Sequence, residues 1–178
     1  VVNPAAETDP NSSIHGVPII RAYAAKQVIV LKRGMATGYS GEMNLLFDRA
    51  CAEARCVVLT GEGRGFSSGA NLAGGAPPIA DDGLPDLGGR LEQTFNPFVT
   101  KLRDLPIPYV TAVNGAAAGI GCSFALLGDL IVAGESAYFA DTVIRMGVPG
   151  VEWFAHPFVM PPRIAKEFLM LGDRMPAS

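Results

Sequence analysis

VNGAAAGIGCSFALLGD, residues 113–129, is the stretch whose reading decides the fold of this chain. The β-branched and aromatic run just before it, 109–113, reads as a buried strand ending at Asn114-Gly115. The residues after that turn read as an almost wholly apolar helix. A strand therefore feeds a helix through glycines. Gly115, Gly119 and Gly121 allow a tight turn and close backbone approach, so the unpaired N–H groups of the helix's first turn can face a ligand oxygen. Such a helix start favours negative charge, whether on a phosphate, a carboxylate or an oxyanion formed during a reaction.

A second glycine-rich passage, GEGRGFSSGANL at 61–72, comes after a strand expected over 56–60. Its Gly61-x-Gly63 start resembles a phosphate loop, but it lacks the third glycine of a dinucleotide fingerprint and the Gly-Lys-Ser/Thr of a P-loop. Upstream, residues 1–18 form a Pro-, Asn-, Ser- and Thr-rich tail without periodicity. Strands are expected at 19–23 and 27–31, then a loop over 32–39. Ser40 can cap a helix through about Glu53, with Met43, Leu46, Phe47 and Ala50 on one face. Residues 73–90 carry repeated Gly, Pro and Asp, as a surface loop bordering a site would. Leu91, Phe95, Phe98 and Leu102 recur at helical spacing, predicting an amphipathic helix over 88–104 that stops at Pro106 and Pro108. Downstream, strands are expected at 130–133 and 137–139 and a loop over 141–152. A final helix is expected from Pro161-Pro162 to about Leu171, with Gly172 as its stop.

At 178 residues, 49% hydrophobic and 17% charged, the chain is long and apolar enough for one globular domain, read over 19–178. A net charge of -3 without a basic run gives no electrostatic reason to expect nucleic acid or an anionic membrane surface. The apolar run at 124–133 is interrupted by Asp129, so it reads as a buried helix and strand rather than a membrane span. Cys51, Cys56 and Cys122 have neither paired nor metal-ligand spacing. They read as reduced thiols of a cytoplasmic protein, with no metal implied.

The strand with FSSGANL (66–72), the strand with VNGAAAGIGCSFALLGDLIVAGESAYF (113–139) and RMGVPG (145–150) occur in this order, and together they resemble the crotonase, or enoyl-CoA hydratase/isomerase, superfamily. The resemblance implies an α/β fold of the ClpP/crotonase type, a spiral of ββα units. It also implies acyl-CoA thioester substrates and two backbone N–H groups forming an oxyanion hole for a thioester enolate. Those donors fall on Ala70 and Ile120, and Ser68, Gly69, Asn71, Leu72 and Gly119 shape the loops that carry them. Glycine-flanked amides aimed at an oxygen that becomes negative are the same chemistry that the residues suggest unaided. Coenzyme A enters as part of the substrate and no separate cofactor is expected. Family members form homotrimers or hexamers and continue into further helices that help close the site. Those helices are not read here, so the domain is expected to be cut short at its C-terminus.

Departures from the family pattern bear on the reaction. Hydratases of this family carry one glutamate on the central helix and a second before the Gly-x-x-Pro turn, where this chain has Ser123 and Val143. Water addition needs one group to take a proton from water and another to protonate the α-carbon, and neither serine nor valine does this at neutral pH. The remaining local candidates for acid/base work are Asp141 and Glu152, then His156, against bland readings as a capping carboxylate and members of an aromatic cluster around Trp153 and Phe154. Ser123 reads as a small residue that widens the acyl pocket, and Asp129 as structural. Two further readings stand beside an acyl-CoA enzyme with a non-standard acid/base. One is a silent acyl-CoA binder. The other is a nicotinamide oxidoreductase, because GAAAGIG also fits the Gly-x-x-x-Gly-x-Gly loop of short-chain dehydrogenases. That loop should come after the first strand and precede a Tyr-x-x-x-Lys pair, and neither condition holds.

Overall fold

The architecture was read from a computed structural model that describes residues 19–23, 28–33, 41–69, 79, 81–83, 92, 95–147 and 155–178, with side chains from Phe47 onward. The 1–18 tail, the loop at 34–39, Ser40 and Trp153 lie outside the described residues. Strands β1 (Ile19–Tyr23) and β2 (Val28–Arg33) pair antiparallel and lead to helix α1 (Gly41–Glu53) and β3 (Cys56–Gly61). Helix α2 (Asn96–Arg103) leads into β4 (Tyr109–Val113), β5 (Ala116–Ala118) and helix α3 (Ile120–Leu126). The chain continues through β6 (Leu130–Ala133), β7 (Tyr138–Ala140), a 3-10 turn (Val143–Met146), short α4 (His156–Val159), α5 (Pro162–Leu171) and β8 (Met175–Pro176).

Two sheets organise these elements. The larger has the order β1-β2-β3-β4-β6 and is parallel from β2 onward. The smaller has the order β5-β7-β8, with β5 and β7 parallel and β8 antiparallel to β7. The core lies where α1, α2 and α3 pack together with β4. Phe47 meets Phe98 edge-on at 5.9 Å and Tyr109 at 5.8 Å, and Phe98 meets Phe124 at 5.3 Å. Such edge-to-face pairs each add about 0.5–1.5 kcal/mol beyond the area they bury.

Side chains of β4 also fix α3 through its last carbonyls, for which the helix itself supplies no donor. The Tyr109 hydroxyl donates to Phe124 O at 3.1 Å and the Thr111 hydroxyl to Ala125 O at 2.8 Å, both buried. Asp129, just past the helix, accepts the Tyr109 N–H at 2.8 Å, in keeping with its structural reading. Burial, with a smaller push from the Asp129 charge, holds the Tyr109 phenol far above its ordinary range.

Several expectations are corrected. Residues 116–118, expected to begin the helix, form β5. Gly115 turns so tightly that a Cβ there would collide with Arg64 O, and Ala116 O accepts the N–H groups of Phe66 and Ser67 at 2.9 Å each. That pairing overrides the helical preference of three consecutive alanines. Lys32 and Arg33 belong to β2 rather than a loop, because parallel pairing with Thr60 and Gly61 carries the strand further. The strand expected at 137–139 lies one residue later. The 141–152 loop contains the 3-10 turn; within the helix expected over 88–104, Asn96–Arg103 is α-helical, and residues 88–91, 93 and 94 lie outside the described residues. The expectation that 124–133 is buried throughout holds only for its helix: Leu130 and Val132 on β6 are 64% and 63% exposed.

Two measurements check this packing. Gly115→Ala should lower unfolding free energy by roughly 2–3 kcal/mol through backbone overpacking, read as a fall in the urea midpoint. The Tyr109 phenol has a folded pKa above its ordinary value of 10.0, so its contribution is complete below that pH and is lost above it. Stability should therefore drop by up to about 1.4 kcal/mol per pH unit in strong alkali. Tyr109→Phe should flatten that alkaline drop at an added cost of about 1 kcal/mol at neutral pH.

Candidate active site

The two glycine passages seen in the sequence are joined backbone to backbone. From Gly61 the chain runs beside β5: Phe66 and Ser67 donate to Ala116 O, Ala118 N–H donates to Ser67 O at 2.9 Å, and Ser67 bridges Ala117 in parallel. Asn114 braces the entry, accepting the Gly61 N–H at 3.0 Å and donating to Gly63 O at 3.0 Å. Gly121 is needed for the same approach, since a Cβ there would lie 2.5 Å from both Cβ and Oγ of Ser67.

This register brings Gly69 against Gly119. Gly69 has φ +97 and a Cβ on it would lie 2.9 Å from Ala118 O; Gly119 has φ +51 and its Cβ would lie 4.0 Å from Gly69 Cα. Gly69 N–H is held by Ser67 Oγ at 3.3 Å. The residues immediately preceding Ala70 and Ile120 are therefore in contact. Ala70, Asn71 and Leu72 themselves lie outside the described residues.

Helix α3 starts at this junction. Gly119 N–H is taken by Ala140 O at 2.9 Å, and Gly119 O accepts from Cys122 at 2.8 Å and Ser123 at 3.2 Å. Among the described residues no acceptor is bonded to the Ile120 N–H, which stands at the first position of the helix. A backbone donor left open beside a positive-φ glycine can serve a ligand oxygen.

Around this donor the side chains are mostly non-ionisable. Ser123 is 1% exposed and Val143 is 6% exposed. Asp141, 3% exposed, comes directly after the Ala140 that holds Gly119, and its Oδ1 accepts the Val143 N–H at 3.3 Å. The Ala140–Gly119 bond thus brings the strand end that directly precedes Asp141 to the start of α3. Glu152 lies outside the described residues, while His156 is buried at the start of α4 with its ring 5.8 Å from that of Phe168. Ser68 is exposed. No disulfide joins Cys51, Cys56 and Cys122. Burial raises the thiol pKa of Cys51 and Cys56, helped by the charges of Asp48 and Asp129 respectively, so neither is activated. Among the described residues no group of three His, Cys, Asp or Glu is placed to hold a metal, and no helix is long and apolar enough to cross a membrane.

Two features escape the sequence reading. The Ala140 carbonyl that pins Gly119 is a main-chain group, and only the β5–β7 register reveals it. A cleft of about 790 Å³ on the β5-β7-β8 sheet, with Arg145 and Arg174 at its wall, joins residues from separate elements. The Gly172-Asp173-Arg174 run after α5 is the available signal, and by itself it reads only as a helix stop.

Comparison with known proteins points the same way. The model of the enoyl-CoA hydratase/isomerase family matches residues 34–178. A second model, that of the NAD(P) transhydrogenase beta subunit, matches residues 1–65, less than half of the chain and overlapping the first. Among curated relatives, the 1,2-epoxyphenylacetyl-CoA isomerase of Escherichia coli (strain K12) is 39% identical over 127 residues, 69% of this chain and 47% of that protein. The carnitinyl-CoA dehydratase of Citrobacter koseri is 37% identical over 145 residues, 77% of this chain and 51% of that protein. The crystal structure of an enoyl-CoA hydratase/isomerase from Xanthobacter autotrophicus Py2 superposes with a TM-score of 0.71 at 25% identity, covering 90% of this chain and 62% of that one. The chain spans about half the length of these curated relatives. With the family's match running through β3, both glycine passages and the strand end that carries Asp141, this chain belongs to the enoyl-CoA hydratase/isomerase family and has its crotonase-like α/β fold.

Proposed function

We propose that the chain acts on an acyl-CoA thioester, whose carbonyl oxygen accepts hydrogen bonds from the Ile120 and Ala70 N–H groups. The observation that supports this reading is the contact between Gly69 and Gly119, the residues that precede the two assigned donors in the chain, together with an Ile120 N–H that has no acceptor among the described residues. When a base removes the α-proton, the electron pair moves onto the carbonyl oxygen, and the two amides hold that negative charge without having to reorganise. The proton then returns at another carbon of the acyl group, which moves a double bond, or it assists departure of a β-substituent. Asp141 is the nearest buried carboxylate to the start of α3 in chain and register, and Glu152 is the second candidate. Ser123 and Val143 stand where the family's hydratases carry glutamates, so the reaction runs through a differently placed acid/base. The reading needs no cofactor, because coenzyme A arrives with the substrate. It also takes the protein to be cytoplasmic and to assemble as a homotrimer or hexamer, for which the exposed apolar residues of β6 and α5 offer contact surface.

A second reading, a silent acyl-CoA binder, is favoured by one observation: the Asp141 carboxylate already accepts the Val143 N–H. Turnover separates the two. Asp141→Asn keeps an oxygen for that N–H, so it should fold normally yet lower turnover of an enoyl-CoA by about 10²–10⁴-fold. Glu152→Gln is the parallel variant. Unchanged turnover in both removes these carboxylates from the mechanism, and tight acyl-CoA binding without turnover in the parent protein selects the binder.

Ile120→Pro tests the donor directly. Proline suits the first position of a helix and removes only an N–H that the helix does not use. Relative to Ile120→Ala, it should lower kcat by roughly 10²–10³-fold while thermal stability stays level. Equal rates in the two variants would take this amide out of the mechanism.

A further inference from the structure

The cleft on the small sheet is a feature that the mechanism leaves unused. Its floor is the outer face of β5 and β7, where Ala118, Tyr138 and Ala140 point away from the core residues Ala117 and Phe139. Thr142, Arg145 and Arg174 complete the wall. At about 790 Å³ it has the size of a small-molecule site.

Its charge is organised around the two guanidinium groups. Arg145 is anchored, with Nε donating to Leu171 O at 3.3 Å and a terminal nitrogen paired to Asp173. Arg174 is held differently: its guanidinium lies 4.7 Å above the Tyr138 ring, and among the described residues it makes no ion pair. Stacking fixes the plane of the group, and among the described residues no hydrogen bond engages its N–H fork, the arrangement that binds a carboxylate in bidentate fashion. Two arginines against one aspartate leave the cleft with a surplus positive charge. Gly172 makes the arrangement possible, since at φ +61 a Cβ there would lie 3.0 Å from Ile144 Cγ2 and 3.1 Å from Asp141 O.

Position decides which anion fits. Ala118 lines the cleft and directly precedes Gly119-Ile120, so the cleft begins next to the amide assigned to the thioester carbonyl. The phosphates of coenzyme A are separated from that carbonyl by the whole pantetheine arm. An anion this near the carbonyl belongs to the acyl side. The small side chains of Ala118 and Ala140 leave room for a methylene chain to lie along the sheet on its way to Arg174. We propose that the cleft receives the far carboxylate of a dicarboxylic acyl group, so that the preferred ligand is an acyl-CoA whose acyl chain ends in a second, free carboxylate. This rests on the thioester reading above for the placement of the carbonyl.

Calorimetric titration with glutaryl-CoA and with pentanoyl-CoA, which have equal carbon count, tests the assignment. Glutaryl-CoA should bind roughly tenfold more tightly, the worth of one charge-assisted contact. Arg174→Gln should erase that difference while leaving pentanoyl-CoA affinity unchanged, and Arg174→Lys, which keeps charge without the fork, should restore part of it. Equal affinities in the parent protein, or equal weakening of both ligands by Arg174→Gln, would overturn the proposal. If neither thioester binds, the thioester reading fails instead, and titration with free glutarate then decides for the cleft. Arg174-dependent glutarate binding keeps it as a carboxylate site, and absence of binding removes it.

Discussion

Backbone must meet backbone where the passage after β3 runs along β5, and the rest of the site depends on that constraint. The contact leaves no room for side chains at Gly115 or Gly121, because a Cβ at either would intrude on Arg64 or Ser67. What is gained is a set of short main-chain bonds, Phe66 and Ser67 to Ala116 and Ala118 to Ser67, that no surface loop would make with a neighbouring strand. Main-chain bonds of this kind are modest singly, yet together they set the register to one residue. Register is what matters here, because a shift of one position would part Gly69 from Gly119.

The core acts on the same site from the other end. Helix α3 has only seven residues, too few to hold its direction by its own hydrogen bonds. Its direction is imposed by β4, through Tyr109 and Thr111 on its last carbonyls and through the packing of Phe124 against Phe98. Its start is imposed by Ala140 on Gly119. The helix is thus clamped at both ends by strands of different sheets, and the Ile120 N–H, which has no acceptor among the described residues, is positioned by these clamps. Preorganisation of this kind is what makes a backbone amide useful against developing charge.

How far the sequence foretells this can be judged residue by residue. The strands ending at Gly61 and Val113, the cap of α5 at Gly172 and the buried face of Phe95, Phe98 and Leu102 are legible, because hydrophobic period and glycine placement are local signals. The conversion of Ala116–Ala118 into strand is not legible, since it depends on partners at Ser67 and Tyr138 far away in the chain. The exposure of Leu130 and Val132 has no local signal either: an apolar β-branched run reads as buried whatever covers it. On the site side, the glycine passages point to Gly69, Gly119 and Ile120. The stacking of Arg174 on Tyr138 is a tertiary event that no spacing announces.

The same division explains why fold and reaction need not be equally fixed in this chain. Main-chain donors depend on register and glycine, so they survive wherever the backbone contact survives, whatever side chains surround them. Acid/base chemistry depends on single side chains, and two buried positions near the donor, Ser123 and Val143, hold groups that do not ionise near neutral pH. Asp141 directly follows Ala140 at the end of β7 and accepts the Val143 N–H, so its carboxylate is carried on a strand end, at a different angle from a side chain carried on α3. Proton transfer is more sensitive to that angle than charge stabilisation is, because the proton must travel along a hydrogen bond while the field of an amide acts over a broad range of directions. Moving a carboxylate therefore alters where a proton can be delivered before it alters how a backbone amide meets developing charge.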